Sequence, residues 1–466
     1  MKKLIITGTA ILTLFSSVTF AAERLSLGYI YNASKSHSEI IATTNNSINV
    51  VSPTCFDLKT NGRLEINDIL DEQFIKDMHA QGIKVTPFLS NHWGRKRAQA
   101  ALKNPMPLIE ELVAAINKYN FDGVNVDLEN LLPKDKDNLT NFMKFLRKAL
   151  PREKTLSIAV AANPNKLTST WIVAYDYKAL AEYVDYMVVM TYDEHSYGGG
   201  EGPVAGIEFV EKSLQVVLEE VSKDKVVMGI PLYGRFWEQG EDVGGEAIVM
   251  GQMPNIINQY KLVPKYDVTT ETPHVTLKVK EGQRGPYVNG RYLDAGTYNI
   301  WYENENSIKA KLELVNKYDI LGAGLWALDN ENVEFWNYYK SALNATPYES
   351  EEEIKIRKKL EFAYKYIVDD TIELIKLVPE DKVNKIEANK IEFVSKENLI
   401  NKKNNTIKPS IQKIKHFKTK RCIVKINKTL KSMREKIQNK ITWNIGNRKK
   451  AYSTGIATLN YRAQYI

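Results

Sequence analysis

Eight short apolar runs, at residues 25–32, 49–58, 84–91, 123–129, 156–163, 186–193, 226–235 and 322–329, limit what this chain can fold into. Stretches with helical spacing separate several of them, at 71–81, 105–119, 137–150, 210–221 and 307–318. Apolar strands belong in a sheet covered on both faces, and strands that alternate with helices run parallel. Eight of them predict an α/β fold closed into a (β/α)8 TIM barrel. The competing arrangement is an open doubly wound sheet. No glycine-rich phosphate loop follows the first run, which counts against it.

The interval between the seventh and eighth runs is too long for one crossover. Residues 238–300 contain the strand-like His274-Val275-Thr276-Leu277-Lys278-Val279 and turn signals at Asn289-Gly290 and Ala295-Gly296. A small α+β insertion between strands 7 and 8 is expected there, forming one wall of a cleft at the barrel mouth. Beyond residue 346 the texture changes: residues 351–376 mix charge with apolar residues at helical spacing, and 400–450 are rich in Lys, Asn and Ile. The expected organisation is a signal peptide at 1–22, a barrel at 23–345, and a helical then Lys-rich basic C-terminal extension, partly disordered, at 346–466.

The overall charge of +8 belongs to that extension. Residues 401–466 carry eighteen Lys and Arg against one acid, Glu435, a balance of +17, and the rest of the chain stands at −9. Such a tail suits anionic cell-wall polymers or a membrane surface, through an attraction that salt weakens; the alternative is a solvated extension with no partner. Nucleic acid is not an expected partner, because no nucleic-acid-binding fold accompanies the charge. At the other end, Lys2 and Lys3 precede an apolar run over residues 4–20, and Ala21 and Ala22 follow it. That is the pattern of an export signal with a small-residue cleavage site. The alternative is a membrane anchor, for which the run is short. The mature protein is expected to be secreted or cell-wall associated.

Two cysteines, Cys55 and Cys422, lie far apart in unlike regions and predict no disulfide framework. Cys55 reads as a small buried hydrophobe. The six histidines show no metal-ligand spacing, so no metal and no other cofactor is expected. Aromatic content leans to Tyr, with 25 against 14 Phe and 7 Trp. Tyr and Trp suit sugar-binding clefts, since their faces pack on apolar surface while their edges hydrogen-bond.

The segment Phe121-Asp122-Gly123-Val124-Asn125-Val126-Asp127-Leu128-Glu129-Asn130 carries the chemistry. Strand side chains alternate faces, so Val124, Val126 and Leu128 share one side and Asn125, Asp127 and Glu129 the other. On a barrel the apolar set packs under helices and the polar set points inward, where it is costly unless its members bond each other or a ligand. Glu129 falls at the C-terminal end of the strand, where barrel enzymes place their sites. A desolvated carboxyl close to Asp127 has a raised pKa and can protonate a leaving oxygen. Asp127, deeper, is expected to hold a substrate amide, and Asn125 to hydrogen-bond Asp127 and orient it.

This segment resembles the DGxDxDxE signature of family 18 glycoside hydrolases, the chitinase-like enzymes, through Asp122, Gly123, Asp127 and Glu129, with Asn125 in place of the first aspartate of the triplet. Three further pieces are similar to that family in the same order. They are Met190-Thr191-Tyr192-Asp193 at the sixth run, Gly229-Ile230-Pro231-Leu232-Tyr233-Gly234-Arg235 at the seventh, and Gly322-Ala323-Gly324-Leu325-Trp326-Ala327-Leu328-Asp329 at the eighth. The resemblance covers about residues 23–345.

It implies a substrate-assisted retaining reaction on an N-acetylated sugar, an exception to the two-carboxylate scheme of most glycosidases. Glu129 is then the acid and base, Asp127 the stabiliser of the acetamido nitrogen, and Tyr192 the partner of the acetamido carbonyl. Trp326 is the floor under the sugar. Asp193, Met190, Tyr233 and Arg235 shape neighbouring subsites, and Asn125, Asn91 and Tyr29 complete the substrate-binding candidates. With an amide at 125, Asp127 is expected to stay ionised more readily. The N-x-D-x-E form, with Ser52-Pro53-Thr54-Cys55-Phe56-Asp57-Leu58 and Leu89-Ser90-Asn91-His92, resembles bacterial peptidoglycan-active members, including spore-cortex N-acetylglucosaminidases. The expected partner is a polysaccharide containing N-acetylglucosamine, peptidoglycan first. The alternatives are a chitinase, an endo-N-acetylglucosaminidase acting on N-glycans, and, in another class, a catalytically silent lectin-like barrel.

Overall fold

The computed structural model describes residues 23–345 apart from Ile69. The expected signal peptide at 1–22, the extension at 346–466 and Cys422 lie outside the described residues.

The strands are β1 (Leu25–Ile30), β2 (Val50–Pro53), β3 (Phe56–Leu58), β4 (Leu64–Ile66), β5 (Lys84–Val85), β6 (Phe88–Ser90), β7 (Gly123–Asp127), β8 (Thr155–Ala161), β9 (Tyr186–Met190), β10 (Val226–Pro231), β11 (Tyr233–Glu238), β12 (Glu246–Val249), β13 (Lys265–Asp267), β14 (Thr272–Val279), β15 (Tyr287–Val288), β16 (Arg291–Tyr292), β17 (Gly296–Trp301) and β18 (Gly322–Trp326). The large sheet has the order β4-β3-β6-β7-β8-β9-β10-β18-β1-β2-β5. All its pairings are parallel except the hairpin β3–β4. Its far edge, β5, runs within two residues into β6 near the other edge. The hydrogen bonding continues through that gap: the Thr86 N–H donates to Val51 O at 2.9 Å and the Asn125 N–H to Pro87 O at 3.0 Å. The third run is thus one strand in two halves. The break falls at Pro87, which has no N–H to give to a ladder.

The alternation along each strand sorts the core into two clusters. Val124, Val126, Leu128, Leu156, Ile158, Val226 and Met228 pack outward against the helices. Leu27, Tyr29, Val50, Phe88, Tyr186, Val188 and Val227 fill the inside of the curl. Helices Met106–Lys118, Lys136–Ala149, Ile207–Leu218 and Glu305–Lys317 bury one stripe each in the outer cluster. Gly123 lets β7 approach β8, because a Cβ there would sit 1.9 Å from the Thr155 carbonyl oxygen.

One expected strand divides. The run 226–235 breaks at Leu232, so that β10 stays in the large sheet and Tyr233 to Arg235 start β11 of a second sheet. This second, antiparallel sheet has the order β12-β11-β17-β14-β13 and lies in the chain between β10 and β18. Its own core of Phe236, Ile248, Met253, Val275, Leu277, Tyr298 and Ile300 packs the helix Met253–Tyr260 against it. Among the described residues no helix is long and apolar enough to cross a membrane. Cys55 is buried and free.

Candidate active site

On the inner face of β7, Asn125 is fully buried and both ends of its amide are engaged. Its Nδ2 donates to Ser157 Oγ at 2.8 Å, and its Oδ1 accepts from the Tyr29 hydroxyl at 3.1 Å. Asp127, next along the row, is 5% exposed, and its Oδ1 is buried without a hydrogen-bond partner. Burial pushes the Asp127 carboxyl above the ordinary carboxylate range. Glu129 lies just past the strand end. Burial first, then repulsion from the Asp127 and Asp193 carboxylates, holds its carboxyl well above the usual range.

Around the row, Tyr192 follows β9 and packs edge-on against Tyr233 with ring centroids 6.3 Å apart. Burial and the proximity of Tyr233, Asp127, Glu129 and Asp193 raise its phenol. Gly229 makes room for this ring, since a Cβ there would meet Tyr192 Cε1 at 2.8 Å. Asp193, at φ 61°, turns its carboxylate toward the second sheet. There Oδ1 accepts from the Tyr233 hydroxyl at 2.5 Å and from Arg235 Nε and Nη2 at 3.2 and 2.7 Å. Met190 ends β9, half-buried against the outer cluster. Trp326 ends β18, its ring 5.3 Å from Tyr29, 5.9 Å from Phe88 and stacked on Tyr31 at 5.4 Å. The residues singled out in four separate stretches of sequence therefore meet at one mouth.

Three expectations change. Asn125 reaches sideways to Ser157 on β8 and not along its own strand to Asp127, so it orients Tyr29 and the sheet rather than the neighbouring carboxyl. Burial holds Asp127 above the ordinary carboxylate range even with an amide at 125. Tyr29 is 2% exposed with its hydroxyl spent on Asn125, which makes it a support. Asn91 is 1% exposed and gives both ends of its amide to the Glu129 backbone, which makes it a support. Asp122, which matches the signature, serves the opposite end of the sheet: its carboxylate accepts from the Val85 N–H at 2.7 Å and lies 2.8 Å from His79 Nε2.

Several contributors were not read from the sequence. Asp57 and His92, in the two early segments, bond each other at 2.6 Å, and the His92 ring lies 6.4 Å from that of Tyr31. Trp93 is half exposed and meets Trp171 edge-on at 4.9 Å, which in turn meets Tyr175 at 5.9 Å. Trp93 directly follows Leu89-Ser90-Asn91-His92 and was within reach of that motif. Trp171 and Tyr175 stand in an irregular stretch after β8 with no periodic signal. The loop after β9 is fastened to the second sheet: Trp237 Nε1 donates to Gly199 O at 2.9 Å, and Glu201 accepts from Asn299 and Trp301 at 2.8 and 3.0 Å. Among the described residues no group of three or more His, Cys, Asp or Glu is placed to hold a metal ion.

Cleaving a sugar linkage needs a proton for the leaving oxygen and a flat apolar surface under the ring, and this mouth offers both beside a second buried carboxyl; it is the mouth of a glycoside hydrolase. Residues 26–331 match the profile of Glycosyl hydrolases family 18, and the chain belongs to that family, whose fold is the TIM barrel. The chain is 28% identical over 229 residues to an uncharacterized glycosylase, YvbX, of Bacillus subtilis (strain 168), with 49% of this chain and 63% of that protein covered. It is 30% identical over 236 residues to the cortical fragment-lytic enzyme of the same organism, covering 49% and 51%. It thus spans between half and two thirds of the length of these curated relatives. Among solved structures, a chitinase from Chromobacterium violaceum superposes with a TM-score of 0.61 at 25% identity, over 69% of this chain and 99% of that one.

Proposed function

We propose that this chain is a secreted glycosidase that hydrolyses β-linked N-acetylglucosamine-containing polysaccharide, peptidoglycan before others. Its reaction is substrate-assisted and retaining, on a closed (β/α)8 barrel with the sheet of residues 233–301 inserted as one wall. The observation that carries this reading is the partnerless, buried Oδ1 of Asp127 directly below the raised Glu129 carboxyl. A buried acceptor without a donor is costly until a ligand supplies one, and a 2-acetamido N–H is such a donor.

In the reaction the acetamido oxygen attacks the anomeric carbon while Glu129 gives its proton to the departing glycosidic oxygen. The resulting oxazolinium carries its positive charge beside Asp127. Glu129, now a carboxylate, takes a proton from the water that opens the ring, which returns the acid to its starting state and retains configuration. The Tyr192 hydroxyl donates to the acetamido oxygen and aligns it. Trp326, backed by Tyr31 and Phe88, lies under the sugar ring. Asp193, Tyr233 and Arg235 form the side toward the inserted sheet.

A second substrate, chitin, is favoured by the exposed Trp93 beside Trp171, an aromatic surface that suits an uncharged polymer. Mass spectrometry of products from peptidoglycan, chitin and N-glycans incubated side by side separates the two. The expected result is release from peptidoglycan by the wild type and none by Glu129→Gln, which still binds. Turnover by that variant refutes the assignment. The Lys-rich tail is the proposed tether to anionic wall polymer; removing residues 400–466 is expected to weaken retention on cell walls at low salt and to change little at high salt.

A further inference from the structure

The carboxyl assigned above as the acid stands where the sheet has already ended. In register, Ser90 of β6 faces Asp127 of β7, and β7 stops there. Beyond Ser90 the neighbouring chain turns away, with His92 and Trp93 at φ 45° and 59°. The backbone of Glu129 therefore has no strand on its β6 side to take its N–H and C=O.

Asn91 fills that gap with its side chain. Its Oδ1 accepts the Glu129 N–H at 2.9 Å and its Nδ2 donates to the Glu129 carbonyl at 2.9 Å. A carboxamide has the same donor and acceptor as a peptide unit, so it reproduces one rung of a ladder from a chain that has already left the sheet. The flanking carbonyls are held as well. The Tyr175 hydroxyl donates to Leu128 O at 3.0 Å, and Arg95 Nε donates to Asn130 O at 2.7 Å with a second contact to Asn130 Oδ1 at 2.5 Å. Three consecutive carbonyls after the strand end are each fixed by a different side chain.

We infer that Asn91 is the positioning residue of the reaction: its amide stands in for the missing strand and, with Tyr175 and Arg95, holds the Glu129 carboxyl at the distance proton transfer requires. This rests on the reading of Glu129 as acid and base. Asn91 need not meet the substrate, so its loss acts on the chemical step more than on binding. A misplacement of about 1 Å in such a group costs on the order of 100-fold in rate. The charged and titratable groups around the carboxyl are Asp127 below it, Asp193 and Tyr192 after β9, Tyr175 on its outer side, and Arg95 over Asn130. Once loosened, the carboxyl escapes toward water and away from Asp127, which lowers the pH at which it loses its proton.

The experiment compares wild type, Asn91→Ala, Asn91→Asp, Tyr175→Phe and Glu129→Gln as full chains, with thermal melts alongside kinetics on methylumbelliferyl chitobioside and on peptidoglycan. Asn91→Asp keeps the shape and the acceptor for the Glu129 N–H but loses the donor to its carbonyl. Expected are a fall in kcat of about 10- to 100-fold for both Asn91 variants, a change in KM of less than about threefold, and, for Asn91→Ala, which adds no charge, an alkaline limb of the pH–rate profile moved to lower pH. Tyr175→Phe, which loosens only the Leu128 carbonyl, is expected to show a smaller change in the same direction, so the inference is read from it even where Asn91→Ala melts early. An Asn91→Asp enzyme with wild-type kcat, or an Asn91→Ala enzyme with wild-type kcat and pH profile, overturns the positioning role while leaving Glu129 in place. A Glu129→Gln enzyme that keeps its turnover overturns the functional reading instead.

Discussion

The Asn125 amide donates across the sheet to Ser157 Oγ at 2.8 Å and leaves Asp127, two residues further along its own strand, without a donor on Oδ1. The row that alternation aligns is therefore not a chain of hydrogen bonds. Its upper two members are carboxyls whose negative charges repel each other. Restoring an ionisable group with Asn125→Asp adds a third carboxyl beneath the pair. More negative charge makes Glu129 release its proton at higher pH, so the alkaline limb of kcat/KM is expected to move upward. A pH–rate profile identical to that of the wild type counts against coupling along the row.

The raised carboxyls also act on stability. For a group whose folded pKa lies above its unfolded value, the stabilising contribution is complete below the unfolded pKa, about 4 for a carboxyl, and is lost as pH rises through the folded pKa. Burial is the first cause of both shifts here. The wild type is expected to lose stability from mildly acid toward neutral and alkaline pH. Glu129→Gln and Asp127→Asn should flatten that slope and melt higher than the wild type at its alkaline end. Denaturant titrations at a series of pH values measure this, and parallel curves for the three proteins disprove it.

Gly229 is fixed by the ring it faces. An added Cβ would lie 2.7 Å from Val189 O and 2.8 Å from Tyr192 Cε1. The ring must move, because the carbonyl is held in the sheet. Gly229→Ala is expected to cost about 1–3 kcal/mol of stability and to lower kcat more than Glu129-independent ligand binding. A melt and a kinetic run on the same preparation check both halves.

Away from the mouth, Lys311 Nζ and Glu303 Oε2 are 2.9 Å apart with both side chains buried. Truncating one partner strands the other charge, so Lys311→Met is expected to destabilise by about 3–5 kcal/mol. Pairing it with Glu303→Gln should recover most of that loss. A double variant no better than the single one removes the ion pair as the cause.

Much of this arrangement is readable from residue order, and the exceptions have physical reasons. Alternation places Val124, Val126 and Leu128 against the helices, where they are found, because a strand has only two faces and the polar residues cannot take the one under the helices. The meeting of Tyr192, Tyr233, Asp193 and Trp326 follows from their places at strand ends. Hydrogen-bond direction does not follow. Nothing in the spacing of Asn125 and Asp127 says that the amide finds Ser157 thirty-two residues away. Nor does an apolar run show where it changes sheets: 226–235 reads as one strand, yet Leu232 passes it from the large sheet to the second sheet. Asn91 was legible as a candidate only through its motif. Its bond to the Glu129 backbone depends on where β6 stops, which is a tertiary fact.

Tyr233 and Arg235 reach Asp193 from the second sheet, while Glu129 and Asp127 stand on the first. The acid and the side wall of the site thus belong to separate sheets, joined electrostatically through Asp193. On the proposed reading, changes within the second sheet retune which substrates enter, while changes that move Asp193 also reach the acid.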